Sequence, residues 1–158
     1  MDASSKTTVQ RLLEGAGIAH RVATYDYDEE DLSAGPVALK IGMPLEQVWK
    51  TLALRGESGR VAICCLPSDV ELDLKKAARA LGEKKVAMLP LRELEPETGY
   101  LRGGCSPIGL KRRLPVLIDE TVLVFEEVSV SAGRRGVQVI LAPADLVACS
   151  GAALADLT

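Results

Sequence analysis

Residues 48–54, Val48-Trp49-Lys50-Thr51-Leu52-Ala53-Leu54, and residues 60–66, Arg60-Val61-Ala62-Ile63-Cys64-Cys65-Leu66, decide how this chain is read. Both runs are strand-forming by composition, and they flank the turn residues Gly56-Glu57-Ser58-Gly59. Two such runs joined by a short glycine-containing turn predict a β-hairpin. Strand side chains alternate between faces, so Val48, Lys50, Leu52 and Leu54 share one face, and Lys50 stands where apolar side chains go. A buried ammonium there needs an anionic partner. The other reading is a lysine whose stem packs while its head reaches water.

Outward from the hairpin, Ser4 or Ser5 can cap a first helix carrying Val9, Leu12, Leu13 and Ala16, with Gly15 or Gly17 ending it. Residues 18–25 read as a strand, residues 26–31 as an acidic loop, and residues 33–41 as a short helix stopped by Gly42. Pro44 suits the first turn of another helical segment. Asp73 caps a helix running to Leu81, with Gly82 after it. Residues 85–89 predict a strand and residues 91–94 a helical turn. Residues 98–109 hold four glycines and a proline, which predicts a shaped loop. The β-rich runs 116–118, 122–126, 128–131 and 137–141 follow, and Pro143 opens a last helix. Strands outnumber helices and short turns join them. The expected class is α/β in the α+β sense: a mixed, largely antiparallel sheet curled toward a barrel, with helices outside.

With 158 residues and 47% hydrophobic content, the chain predicts one domain over residues 1–158. A net charge of −3 excludes a protein that holds nucleic acid across its whole surface. Lys111-Arg112-Arg113 and Arg134-Arg135 leave a local basic site open, beside the plainer reading of solvated loop charge. Cys64, Cys65, Cys105 and Cys149 show no metal-ligand spacing and His20 is the one histidine, so no metal is expected. There is no apolar signal core at the start and no run of about 18 apolar residues, which predicts a reduced, cytoplasmic protein without membrane contact.

Serine or cysteine nucleophilic catalysis needs a positioned base, and His20 lies in an early strand with nothing nearby to orient it. Cys105, inside the glycine loop, is either a thiol activated by flanking N–H groups or a small apolar filler. Two turns, Gly103-Gly104-Cys105-Ser106-Pro107-Ile108-Gly109 and Ser131-Ala132-Gly133-Arg134-Arg135-Gly136, can present bare backbone N–H groups to an anion or carbonyl oxygen. With Lys50 they suggest a pocket for a phosphate-bearing or ester-bearing ligand.

Five segments in order, residues 48–52, 72–76, 98–109, 113–115 and 131–136, resemble the YbaK family of aminoacyl-tRNA deacylases, also called EbsC or ProX-like proteins. The resemblance implies a free-standing editing domain, related to the insertion domain of bacterial prolyl-tRNA synthetases, that hydrolyses Cys-tRNA(Pro). A synthetase pocket made for proline cannot strongly reject residues of similar or smaller size, so a second sieve is needed. By the same resemblance, Lys50 is the essential residue, holding the phosphate or ribose end of the terminal adenosine. Gly103 and Gly104 offer N–H groups to the aminoacyl carbonyl, with Gly104 as the second catalytic position, and Tyr25, Thr51 and Ser131 line the pocket. Ser106 and Gln138 complete the expected substrate-binding set. The implied attacker is the thiolate of the substrate cysteine itself, with no cofactor. The implied partners are the 3′ end of tRNA(Pro) and prolyl-tRNA synthetase. Two positions depart from the family's common pattern, Cys105 where an aliphatic residue is usual and Gln138 where an acid is usual. They leave open an alanyl or other small aminoacyl substrate. A non-catalytic binder of tRNA ends or nucleotides is the alternative of a different class.

Overall fold

A computed structural model describes residues 5–158. In chain order the elements are α1 (Thr8–Gly15), β1 (His20–Thr24), α2 (Ala34–Ile41), β2 (Trp49–Gly56), β3 (Val61–Pro67), α3 (Leu74–Leu81), β4 (Val86–Met88), α4 (Leu91–Thr98), β5 (Val116–Asp119), β6 (Val128–Ser131), β7 (Val137–Leu141), α5 (Pro143–Ser150) and β8 (Ala153–Ala155). Short 3-10 turns occupy Leu45–Gln47 and Glu120–Val124.

The hairpin is present: β2 and β3 pair antiparallel from Trp49 opposite Pro67 to Arg55 opposite Val61. They sit inside a five-stranded sheet of order β4-β2-β3-β5-β8, in which β3-β5 and β5-β8 are parallel. A three-stranded antiparallel sheet, β1-β7-β6, faces it. The sheet pairing is largely antiparallel, as the sequence predicts, but the expected closure into a barrel does not occur. Two open sheets meet through one parallel bridge, Val48 to Ser129.

The main core fills the space between the sheets, where Trp49, Ala53, Ile63, Cys65 and Ile118 meet Val130, Val139 and Leu141. A smaller cluster packs Leu54, Cys64 and Leu117 against Ala77 and Ala78 of α3. β2 is therefore apolar on both faces, which a period-2 reading aimed at a single core does not resolve. Lys50 and Leu54 lie on the face turned to α3, while the main core takes Trp49 and Ala53.

Three local expectations need correction. The first helix is capped by Thr7, whose side chain accepts from the Gln10 N–H while the Gln10 side chain returns to the Thr7 N–H. That reciprocal box is stronger than a lone serine; Ser4 lies outside the described residues. Residues 122–126, β-rich by composition, form no strand: 122–124 belong to the 3-10 turn Glu120–Val124 and Phe125 caps it, because the Asp119 carboxylate accepts from the Thr121 N–H and starts a helical turn. Residues 91–94 extend into the full helix α4.

Candidate functional site

β4 covers β2 from Leu54 to Gly56, and β6 touches the chain at Val48. Between those contacts no strand ladder covers the edge of β2, and a cavity of about 550 Å³ opens against it. The Ala53 carbonyl turns to this side to accept from the Leu89 N–H at 2.9 Å. By strand alternation Thr51 turns its backbone N–H and C=O the same way.

β2 supplies Lys50 and Thr51 to the cavity wall. Lys50 is half-buried, and its Nζ donates to the Val70 carbonyl at 2.6 Å, so the anionic partner expected from the sequence is replaced by a backbone dipole. One donor position is used and the charge is not neutralised. Next to the strand end, Ser68 also lines the cavity, and its buried Oγ has no partner among the described residues. A buried hydroxyl without a partner is a place for a ligand to bond.

The opposite wall comes from the three-stranded sheet, with Tyr25, Ser131 and Gln138 lining it. Ser131 Oγ accepts from the Gly133 N–H at 3.1 Å, fixing the second glycine turn. Gln138 is nearly buried, and its Oε1 accepts from Ser129 Oγ at 2.7 Å. With the amide oxygen committed to Ser129, the side chain has its NH₂ donors left for the cavity it lines.

The two glycine turns, far apart in sequence, pack on each other. A Cβ on Gly104 would lie 3.2 Å from the Arg135 nitrogen, and one on Gly133 would lie 2.8 Å from the Tyr100 ring. Tyr100 staples the first turn by donating to the carbonyls of Ile108 and Gly109. Its phenol is pushed up to about 12, first by burial and then by the neighbouring Cys105.

Within that turn the expected residues separate. Gly103 lines the cavity at φ +83°. Gly104 is buried behind it and gives its N–H to the Leu101 carbonyl at 2.9 Å. Ser106 is fully buried, accepts from the Ile108 N–H and does not reach the cavity. Cys105 does reach it, and burial pushes its thiol up to about 12, so the thiol is protonated at neutral pH. No histidine lines the cavity; His20 Nδ1 pairs with the Ile18 carbonyl on β1.

The basic runs also divide. Arg112 pairs with Glu97, and Arg134 is bonded to Ser5, whereas Arg135 lines the cavity with its Nε donating to the Arg102 carbonyl at 2.8 Å. Sequence reasoning did not single out Arg102, Lys40 or Ser68, which line the same space. Arg102, immediately before Gly103, carried a readable signal as a cation at the entry to a glycine turn. Lys40 and Ser68 carried none, since only the fold brings α2 and the end of β3 to the cavity.

The aminoacyl-tRNA editing domain model matches residues 32–149, a span that contains most of these cavity residues. EbsC of Enterococcus faecalis, which carries the provisional name Cys-tRNA(Pro)/Cys-tRNA(Cys) deacylase, is 39% identical over 97% of this chain and 93% of its own. A proline–tRNA ligase of Verminephrobacter eiseniae is 26% identical across 70% of this chain but only 21% of its own. A crystal structure described as a provisional trans-editing enzyme for prolyl-tRNA synthetase superposes with a TM-score of 0.80 at 27% identity, covering 98% of this chain and 99% of that one.

Proposed function

This chain belongs to the aminoacyl-tRNA editing domain family, the YbaK family, and from that premise we propose that residues 1–158 act as a single trans-editing domain that cleaves the ester of Cys-tRNA(Pro). The observation that carries the reading is the convergence of Lys50, the partnerless Ser68 hydroxyl and the turn bearing Gly103 on one cavity without histidine. The names of the E. faecalis relative and of the trans-editing structure support the substrate class.

In this account Lys50, held at the cavity wall by the Val70 carbonyl, meets the phosphate or ribose end of the terminal adenosine, and Ser68 adds a hydroxyl contact to the sugar. The aminoacyl carbonyl lies against the turn at Gly103 and Cys105. Those two residues line the cavity and their N–H groups bond no other described residue, while that of Gly104 is committed to Leu101. Developing negative charge on the carbonyl oxygen is stabilised there by backbone dipoles that need no reorganisation. Tyr25, Thr51, Ser131 and Gln138 shape the aminoacyl end.

With a cysteinyl ester, the substrate sulfur attacks its own carbonyl carbon. A C–S bond forms, the C–O bond to ribose breaks, and the thiol proton ends on the departing ribose oxygen, giving a cyclic thioester and free tRNA. Intramolecular attack carries a large effective-molarity advantage, so the protein has to orient the ester and stabilise charge rather than supply a nucleophile. The Cys105 thiol, kept protonated by burial, does not compete for that role. Prolyl-tRNA synthetase is the natural source of the mischarged substrate.

The test is ester loss from Cys-tRNA(Pro) and Ala-tRNA(Pro). Clearance of the cysteinyl ester well above the buffer rate, with Ala-tRNA(Pro) slower, is expected. Faster loss of the alanyl ester assigns the domain to that substrate and removes the thiol-assisted step. Tight binding of both with no turnover identifies a non-catalytic module.

A further inference from the structure

A second cavity, of about 290 Å³, adjoins the first, and five residues line both, Arg102 and Arg135 among them. The two arginines therefore stand on the shared wall. Arg135 is oriented by its bond to the Arg102 carbonyl, and among the described residues neither guanidinium lies within ion-pair distance of a carboxylate. The second cavity adds two carboxylates of its own, Glu29 and Glu95, and Leu101, which is 54% exposed, next to Leu91, which is 59% exposed and lines both cavities. Cations on a partition, with carboxylates and bare apolar surface beyond it, form an ordered pattern.

We propose that this second cavity receives the base of the penultimate nucleotide of the acylated strand, and that Arg102 and Arg135 grip the phosphodiester linking it to the terminal adenosine. The inference rests on the deacylase reading above and extends it by one nucleotide. Two neighbouring nucleosides are always joined through an anion, so a pair of adjoining base sites requires positive charge on the wall between them, which is where the free arginine forks stand. Mature tRNAs end in C-C-A, which makes the penultimate base a cytosine. Its exocyclic amine is a donor that Glu29 and Glu95 can accept, while uracil presents an acceptor carbonyl at that edge. Leu91 and Leu101 would cover a base face that the fold leaves without a partner.

The test compares three small aminoacyl esters on the full chain: aminoacyl-adenosine, aminoacyl-CpA and aminoacyl-UpA. The expected result is a kcat/KM about tenfold or more higher for the CpA ester than for the nucleoside ester, carried mainly by KM, with UpA between them. In Arg135→Ala the CpA-to-adenosine ratio collapses toward one, and in Glu95→Gln the CpA-to-UpA ratio shrinks. Equal kcat/KM for the nucleoside and the CpA ester, both being cleaved, overturns the subsite and leaves the deacylase reading standing. Equal gains from CpA and UpA overturn the recognition of cytosine. Cleavage of none of the three overturns the reading and the subsite together.

Discussion

Two groups of cations in this protein have the same chemistry and opposite surroundings. At half-buried positions of α4, Glu93 pairs with Arg55 at 2.6 Å and Glu97 pairs with Arg112, so each guanidinium meets a carboxylate. Around the cavity, Lys40, Lys50, Arg102 and Arg135 form no ion pair among the described residues. Lys40 and Lys50 bond backbone carbonyls instead. The nearby carboxylates Asp28 and Asp31 line the cavity and accept from N–H groups of their own loop, at Glu30 and Ser33; the bonds to Ser33 hold the Asp31 carboxyl below its usual range, and the Lys40 charge adds to this without an ion pair. Cations that meet carboxylates are saturated locally, whereas those tied to dipoles keep their charge for an incoming anion. A net charge of −3 hides this division, because it averages a neutralised region with a cationic one.

The comparison is broken most severely at Lys50. Lys50→Ala is expected to lower kcat/KM by about a hundredfold or more, as loss of a preorganised charge contact does. Since the side chain makes one bond, to the Val70 carbonyl, the melting temperature should change by less than about 3 °C. A large drop in melting temperature with intact activity would make Lys50 structural.

Gly133→Ala comes next, because it presses on both glycine turns at once. At φ +94°, with a Cβ 2.8 Å from the Tyr100 ring, the new methyl group must displace the ring that staples the 98–109 loop. The expected result is a fall of about 5 °C in melting temperature and about a tenfold loss of kcat/KM. Full activity would show that the loop does not have to hold this position.

A smaller effect concerns pH. Burial pushes the thiols of Cys64, Cys65 and Cys105 from 9.0 up to about 12. Above pH 9 the unfolded thiols lose protons while the folded ones keep theirs, so the native state binds more protons and stability falls as pH rises toward 12. The urea midpoint should decline steadily between pH 8.5 and 10.5; a flat profile would place these thiols in water. The same burial keeps Cys105 from placing an anion among the cavity cations.

The smallest expected change sharpens the contrast from the other side. Arg112→Ala removes a half-exposed ion pair with Glu97 and should leave kcat/KM within about twofold and the melting temperature within about 3 °C. A loss of activity comparable to that of Lys50→Ala would dissolve the division between the two groups.

Much of this architecture is legible in the chain. The hairpin follows from two β-rich runs around Gly56-Glu57-Ser58-Gly59, and the α3 cap from Asp73, whose carboxylate accepts from the Lys75 and Lys76 N–H groups. Local chemistry sets both. Residues 122–126 mislead because one carboxylate, Asp119, outweighs strand-forming composition. At the site, the meeting of Lys50 with the Gly103 turn on one cavity is suggested by residue type, but that the Gly104 amide is committed while its neighbours are not follows from a backbone bond to Leu101 that no pattern encodes. Ser68 and Lys40 are invisible for the same reason. Their neighbours are distant in sequence, and only long-range packing selects them.

The central claim is that an unneutralised Lys50 amine, set across a cavity from bare turn amides, holds an acylated tRNA end while its ester breaks. The most direct measurement is single-turnover deacylation of Cys-tRNA(Pro) by the wild-type chain and by Lys50→Ala, with Arg112→Ala as the paired control. Rapid loss of the ester with the wild-type and Arg112→Ala proteins, and a rate near that of buffer with Lys50→Ala, is the expected result. Equal rates for the wild-type and Lys50→Ala proteins would contradict the account.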